Sequence, residues 1–367
     1  MPDEQSQRLV IGVTGATGCI GGMLVRHLLR IPSVEVRALV RRRGGRREPG
    51  LSIRTGDLCT RGALESLVAE SDVVLHLAAQ NPISAAENGR QLATFLATNS
   101  FGTGAVAFLA DAYGKPLVYT SSVSVYELSG GNSGPLTEDE SLPGRPETNT
   151  WSQTILEGLN DLIEAWGDEE VEDVEGEVAG LLRKTPMPEK GSVYGLTKLL
   201  GEHWVMERAN GLVLRLSDVY GPGHERRGLL QECLGRILQR GRVSLDFGRR
   251  ARVSFVFLGD VLQALLRAVA LAKKQESHVL NVAHPVSVDP DQLRDALLTV
   301  DGSLRVAVRA PPGTCLPGSD RSFATERAER LLGMRWTSLR DGIRETTRYL
   351  RMPSPEREAY RFPDLQL

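Results

Sequence analysis

The sequence predicts an α/β protein, a doubly wound parallel sheet with a smaller lobe on its C-terminal side. Three observations predict it. Over the first third of the chain, short apolar β-rich segments alternate with segments of helical spacing. Strands that alternate with helices pair in parallel through right-handed crossovers. A glycine-rich turn stands between the first such strand and the first helix. The length of 367 residues exceeds one minimal domain and suits one large α/β domain with an added lobe.

Residues 8–13, RLVIGV, form an apolar run that ends on the glycines and predicts a buried strand. Residues 22–30 place Met23, Leu24, His27 and Leu28 at helical spacing. Residues 34–40 alternate and are β-rich, which predicts a second strand. A third starts at 52–54, a fourth covers 72–77 and a fifth 117–120, with helices expected over 61–69 and 91–112. Residues 127–191 break this pattern. They open with Gly130, Gly131, Gly134 and Pro135, a loop signature. They then turn acidic, from Glu157, Asp161 and Glu164 through Asp168, Glu169, Glu170, Glu172 and Asp173 to Glu175 and Glu177. Trp151, Ile155, Leu159, Leu162 and Ile163 make one apolar stripe, so an amphipathic helix followed by a solvated acidic run is expected. Regular structure resumes with a helix over 194–208 and a strand over 212–216. Helices are expected over 226–240 and 261–272, a strand over 279–282 and a mostly helical tail over 324–351.

Composition excludes several classes. Lys and Arg total 44 against 46 Asp and Glu, a formal net charge of -2, whereas a dedicated nucleic-acid binder carries a basic field. A hydrophobic share of 41% with 25% charged residues supports a sizeable core. No uninterrupted apolar stretch is long enough to span a bilayer, and residues 1–8 lack a signal peptide's apolar segment. Cys19, Cys59, Cys233 and Cys315 are scattered without metal-ligand spacing. Neither a disulfide scaffold nor a metal site is expected, and the expected compartment is the reducing cytoplasm.

The chemistry begins at residues 13–21, VTGATGCIG, which set Gly15, Gly18 and Gly21 in a G-x-x-G-x-x-G pattern. Glycine permits the tight turn and lets backbone N–H groups approach a pyrophosphate at the positive end of the next helix. Thr17, Cys19 and Ile20 share this turn. Residues 1–220 are therefore read as a dinucleotide-binding domain with an acidic insertion at about 127–191. Residues 221–367 are read mainly as a substrate-binding lobe, some of whose strands and helices return to the first domain. After the second strand stand Arg41 and Arg42, with Arg43, Arg46 and Arg47 nearby. A guanidinium pairs with a 2′-phosphate where an acid would repel it, so NADP(H) is favoured and NAD(H) is the alternative. Tyr194 and Lys198 lie at i and i+4, on one face of a helix. A nearby ammonium is expected to lower the phenol from its reference of about 10 and make a workable general acid/base. Residues 119–126, YTSSVSVY, follow the fifth strand, where a hydroxyl reaches the same oxygen.

With these segments in order, the chain resembles the extended short-chain dehydrogenase/reductase family, in its NAD(P)-dependent epimerase/dehydratase-like branch, from about residue 9 to residue 349. The resemblance is carried by TGATGCIGG, Gly56-Asp57-Leu58, His76-Leu77-Ala78-Ala79, Asn99, SSVSVY and YGLTK. It continues through residues 215–222, RLSDVYGP, residues 255–261, FVFLGDV, and residues 332–336, LGMRW. It implies an enzyme with a Rossmann-type sheet and a smaller C-terminal substrate-binding lobe, acting on a small molecule as a homodimer. It implies Tyr194 as the acid/base, Lys198 on the nicotinamide ribose and tuning Tyr194, and Ser122 hydrogen-bonding the reacting oxygen. Asp57 and Leu58 would border the adenine, Ala78 and Ala79 would line the cofactor channel, and Asn99 would hold that side of the scaffold.

The chain also departs from the family. Family dehydratases place an Asp-Glu pair directly after the position of Ser122, and here those positions are Val123 and Ser124, so ordinary sugar dehydration is not expected. Asp218 stands where nucleotide-sugar enzymes often have Asn, and it would repel a diphosphate; Arg252 is one place out of register with the family's arginine. Gln80, Asn81, Ser124, Asp218 and His224 are candidate substrate contacts, while His76 is read as a packed histidine. The acidic insertion joins the two catalytic motifs and is read either as a cover over the substrate mouth or as a peripheral addition. The expected function is an NADP-dependent oxidoreductase that reduces a ketone, or oxidises a secondary alcohol, on a sugar-like substrate by Ser-Tyr-Lys chemistry. The alternatives are a nucleotide-sugar epimerase with tightly bound NAD(P) and a non-catalytic dinucleotide-binding scaffold or sensor.

Overall fold

The computed structural model describes residues 8–42, 48–80, 89–128, 134–186, 193–223, 228–246, 252–300, 305–309, 322–362 and 365–367. The chain begins with β1 (Leu9–Thr14), α1 (Cys19–Leu28), β2 (Val34–Val40), β3 (Leu51–Thr55), α2 (Arg61–Ala69) and β4 (Val73–His76). One long helix follows in three parts: α3 (Gly89–Phe95), a wider π-helical stretch (Leu96–Phe101) and α4 (Gly102–Ala112). Then come β5 (Leu117–Ser122) and a 3₁₀ segment (Val123–Leu128). The five expected strands are present with ends shifted by a residue or two. Leu92–Ala112 is long and apolar enough to cross a bilayer, contrary to expectation, but 78% of its most apolar window is buried inside the protein. It is a core helix of the first unit.

The central sheet has seven strands. Beyond β5 lie β6 (Leu212–Leu216) and β10 (His278–Val282), and the order is β10-β6-β5-β4-β1-β2-β3. β1 pairs in parallel with β2 on one side and with β4 on the other. Chain order therefore reverses between β1 and β4. In doubly wound sheets ligands bind outside the carboxyl ends of the strands at such a reversal. The central strands β1 and β4 are mostly apolar on both faces, as a sheet covered by helices on each side requires; Ile11, Val13, Val73, Val74 and Leu75 are fully buried.

The acidic insertion departs from expectation. It forms two helices, α5 (Thr150–Gly167) and α6 (Val174–Lys184), where one helix and a solvated run were expected. The acids that suggested solvation begin the second helix. Asp173 caps its N-terminus by accepting from Gly176 N, and Glu175 and Glu177 sit in its first turn, where the helix dipole favours negative charge. Val174, Val178 and Leu182, spaced at four, are buried in the same core cluster as Ile155, Leu159, Ile163 and Trp166 of α5. Trp166 is 1% exposed, donates from Nε1 to Cys59 O at 2.8 Å and packs edge-on to Phe101. The insertion is thus part of the helical layer and of the core beneath it. A long helix, α7 (Val193–Glu207), follows it.

The chain divides into two compact units. One comprises Met1–Leu128, Ser141–Leu214 and Ala268–Val279; the other comprises Ser129–Glu140, Arg215–Arg267 and Leu280–Leu367. The boundary runs through β6 and β10. The second unit holds β7 (Asp218–Tyr220), α8 (Leu229–Arg240), β8 (Arg242–Asp246), β9 (Phe255–Phe257) and most of α9 (Leu258–Ala272). It also holds α10 (Pro290–Leu298), β11 (Arg305–Arg309), α11 (Glu326–Leu332), α12 (Leu339–Arg351) and α13 (Ser354–Ala359). Two parallel strand pairs, β11 with β8 and β7 with β9, lie outside the main sheet. In this unit the buried Glu138 accepts from Asn281 N, and Asn281 Nδ2 donates to Leu136 O and Ala324 O.

Candidate active site

The glycine turn joins β1 to α1. Gly15 has φ +71°, a region that favours glycine, and a Cβ there would stand 2.7 Å from Ala78 N. A Cβ at Gly21 would stand 2.2 Å from Gly15 O, so this glycine lets α1 sit directly on the turn. Gly18 donates from N to Gly15 O at 2.9 Å and closes the loop. Gly18 is also the N-cap of α1, and no side chain caps that helix. An uncapped N-terminus behind a glycine turn at a sheet's switch point fits a dinucleotide's pyrophosphate. Gly15, Thr17, Gly18, Cys19, Ile20 and Gly21 are the residues that would hold it. Gly21→Ala should abolish NAD binding measured by calorimetry, since the clash is with backbone that cannot step aside; retained affinity would show that the turn is not the phosphate seat.

A buried hydroxyl chain holds β1 and β4 together at this point. Thr14 Oγ1 lies 2.7 Å from His76 Nδ1, and His76 Nε2 lies 3.0 Å from Thr103 Oγ1 on α4. Burial, with Lys198 adding to it, pushes His76 down to about 3. The ring is neutral and structural, as read from the sequence. Thr14 Oγ1 also accepts from Leu77 N and Ala78 N, both at 3.2 Å, and so fixes the backbone that carries Ala78 and Ala79 beside Gly15. Asn99 lies in the π-helical stretch. Its side chain pairs with the backbone of Gln80, accepting from N at 2.7 Å and donating to O at 2.9 Å, and it donates to Thr197 Oγ1 at 3.3 Å. Asn99 thereby ties the loop after β4 to α7. The sequence reading missed Thr14, Thr103 and Thr197, small hydroxyls that only the fold brings to buried partners.

The residues expected to serve as acid and base, Ser122, Tyr194 and Lys198, meet where β5 ends against α7. A side-chain hydrogen bond joins Tyr194 to Ser122, and Ser122 Oγ accepts from Ser124 N at 3.1 Å. Lys198 is 2% exposed and donates from Nζ to Thr120 O at 2.8 Å. Its ammonium stands 4.7 Å from the ring centre of Tyr119 and 6.0 Å from that of Tyr194, within or at the reach of cation–π attraction. The expected lowering of Tyr194 is not found. Burial pushes the phenol up to about 12 against the opposing hydrogen bond from Ser122, and burial pushes Lys198 down to about 7. Desolvation penalises the charged form of both groups, and it outweighs the hydrogen bond from Ser122 at Tyr194 and the charge of Glu202 at Lys198. Tyr194 therefore holds its proton at neutral pH, beside a serine positioned to share it.

The other predicted residues are placed as follows. Arg41 and Arg42 are exposed just past β2; Arg43, Arg46 and Arg47 lie outside the described residues. Asp57 is exposed, but its Oδ1 accepts from Cys59 N and Thr60 Oγ1, which shapes the turn into α2. Leu58 is buried in the core against Gly102. In the second unit, Asp218 meets solvent on one side, while the protein packed around its carboxyl pushes it up to about 6. Arg252 is engaged by Ser287 Oγ at 3.0 Å, Ser287 O at 2.6 Å and Asp289. Asn81 and His224 lie outside the described residues. Among the described residues no cluster of His, Cys, Asp or Glu could hold a metal ion.

A sequence model of the NAD-dependent epimerase/dehydratase family matches residues 11–151 and 163–283. The interruption falls within α5. A dTDP-glucose 4,6-dehydratase of Mycobacterium tuberculosis is 27% identical over 307 residues, covering 78% of this chain and 86% of that protein. The polyketide synthase-nonribosomal peptide synthetase ACE1 of Pyricularia oryzae is 29% identical over 181 residues, 43% of this chain; the matched segment is 4% of that much longer protein. Among solved structures, a UDP-glucuronic acid 4-epimerase from Bacillus cereus in complex with UDP-glucuronic acid and NAD superposes with a TM-score of 0.69 at 20% identity. That match covers 93% of this chain and 99% of the other.

Proposed function

The chain belongs to the NAD-dependent epimerase/dehydratase family, and from that premise we propose that it is a nucleotide-sugar epimerase that inverts a carbinol centre with a retained NAD. The observation that carries this reading is the acid/base inventory at the end of β5. One phenol, Tyr194, is hydrogen-bonded to Ser122, and the next two positions, Val123 and Ser124, offer no carboxylate. A single group that takes a proton from a carbinol and returns it to the same oxygen suffices for oxidation and re-reduction. Eliminating water from a sugar needs further acid and base groups for the carbon and the departing hydroxyl. NAD supplies, when bound, the hydride acceptor and donor.

The chain's own residues do the rest. In its ionised form Tyr194 Oη takes the carbinol proton and then, as the phenol, returns it to the same oxygen; Ser122 orients the oxygen, and Lys198 sets the electrostatics beneath Tyr194. The glycine turn would seat the pyrophosphate. The NADP preference read from Arg41 and Arg42 gains no support from the relatives. The family is described as NAD dependent, and the Bacillus cereus structure carries NAD. The ketone reductase of the sequence reading likewise gives way to its epimerase alternative.

The test is to purify the full chain, release its nucleotide by denaturation and identify it by mass spectrometry. The chain is then incubated with UDP-glucuronic acid or UDP-glucose without added cofactor. Bound NAD and an epimeric sugar nucleotide seen by NMR are expected. Absence of any epimer, or turnover only with stoichiometric NADPH, would overturn the reading.

A further inference from the structure

Three consecutive residues at the end of β5 are bound by three residues of α7 set one turn apart. Thr120 O accepts from Lys198 Nζ, Ser121 Oγ donates to Glu202 Oε1 at 2.6 Å, and Ser122 bonds Tyr194. Tyr194, Lys198 and Glu202 recur every four residues and share one face of the helix. Two of them form the acid/base pair, while Glu202 has no part in it so far. Glu202 is 4% exposed, and a buried carboxylate needs both hydrogen bonds and a nearby positive charge. Ser121 provides the first, and the buried Lys198 ammonium, which Glu202 favours, provides the second.

We propose that Glu202 is a positioning residue for the Tyr194–Lys198 pair. Its carboxylate pins Ser121 between the two strand residues that the pair contacts, and it supplies the counter-charge for the Lys198 ammonium. The inference rests on the reading of Tyr194 and Lys198 as the acid/base. Pinning residue 121 places the carbonyl of 120 and the hydroxyl of 122 together, because planar peptide units leave the chain little freedom between them. Burial drives Lys198 down to about 7 and Glu202 opposes it. Without that charge the ammonium loses its proton at lower pH and the pair becomes uncharged under neutral conditions.

The other titratable groups around this position do not replace Glu202. Tyr194 on the same helix, Tyr119 of β5 and His76 of β4 are all held neutral by burial. Tyr126 and Glu127 lie in the 3₁₀ segment packed on α7, where Tyr126 is buried and Glu127 exposed. Asp111 of α4 and Glu157, Asp161 and Glu164 of α5 face solvent.

The experiment titrates Lys198 by NMR in the full chain grown with lysine isotopically labelled at Cε, its signal assigned by loss in Lys198→Arg. Glu202→Gln keeps an acceptor for Ser121 and removes the charge, so the Lys198 titration should move to lower pH by roughly one unit. Glu202→Asp draws the carboxylate back by one methylene and should give a smaller shift in the same direction. A titration unmoved or raised in whichever of these variants folds overturns the proposal. The measurement needs no substrate. A chain that shows the shift but epimerises no sugar nucleotide loses the functional reading and keeps this one.

Discussion

Tyr194→Phe should lower turnover by about 10²–10⁴-fold with little change in NAD affinity. The phenyl ring keeps the packing of α7 against β5, and only the hydroxyl that bonds Ser122 is lost. The phenol is a titratable side chain that meets the serine. With the phenol pushed up to about 12, a rate that depends on its ionised form should climb as pH rises from neutral, and this dependence should vanish in the variant. Steady-state rates across pH and calorimetric NAD titrations check both statements. Unimpaired turnover would remove Tyr194 from its role.

Trp166→Ala should cost about 3–5 kcal/mol of stability. The indole packs edge-on to Phe101 of the π-helical stretch and donates to Cys59 O in the turn before α2. Its removal leaves both a cavity and an unpaired carbonyl. Urea unfolding of the variant and wild type measures the difference, and Trp166→Phe should recover most of it. If the insertion were peripheral, the alanine variant would unfold at the wild-type midpoint. The prediction therefore discriminates a structural layer from an addition to the surface.

Much of the first unit was legible in the sequence. β2 and α2 have the expected ends, and the glycines of the first turn are explained by clashes with backbone at Gly15 and Gly21. The short strands Asp218–Tyr220 and Phe255–Phe257 were missed because three residues are too few to show a period. α6 was obscured by its own capping acids, although Val174, Val178 and Leu182 carried the helical spacing. The residues of the site were legible as a triad, but the direction of Tyr194's shift was not. Spacing reveals that an ammonium is near and says nothing of how much water burial removes. Glu202 was not singled out, for the same reason.

The side of α4 and α7 turned toward the insertion is occupied by the chain itself. A Cβ on Gly104 would strike Ile163, Asn160 accepts from Trp204 Nε1 at 2.6 Å, and Arg208 spans Phe108 and Glu164. Among the described residues, anything that approaches α4 and α7 from this side meets α5 first.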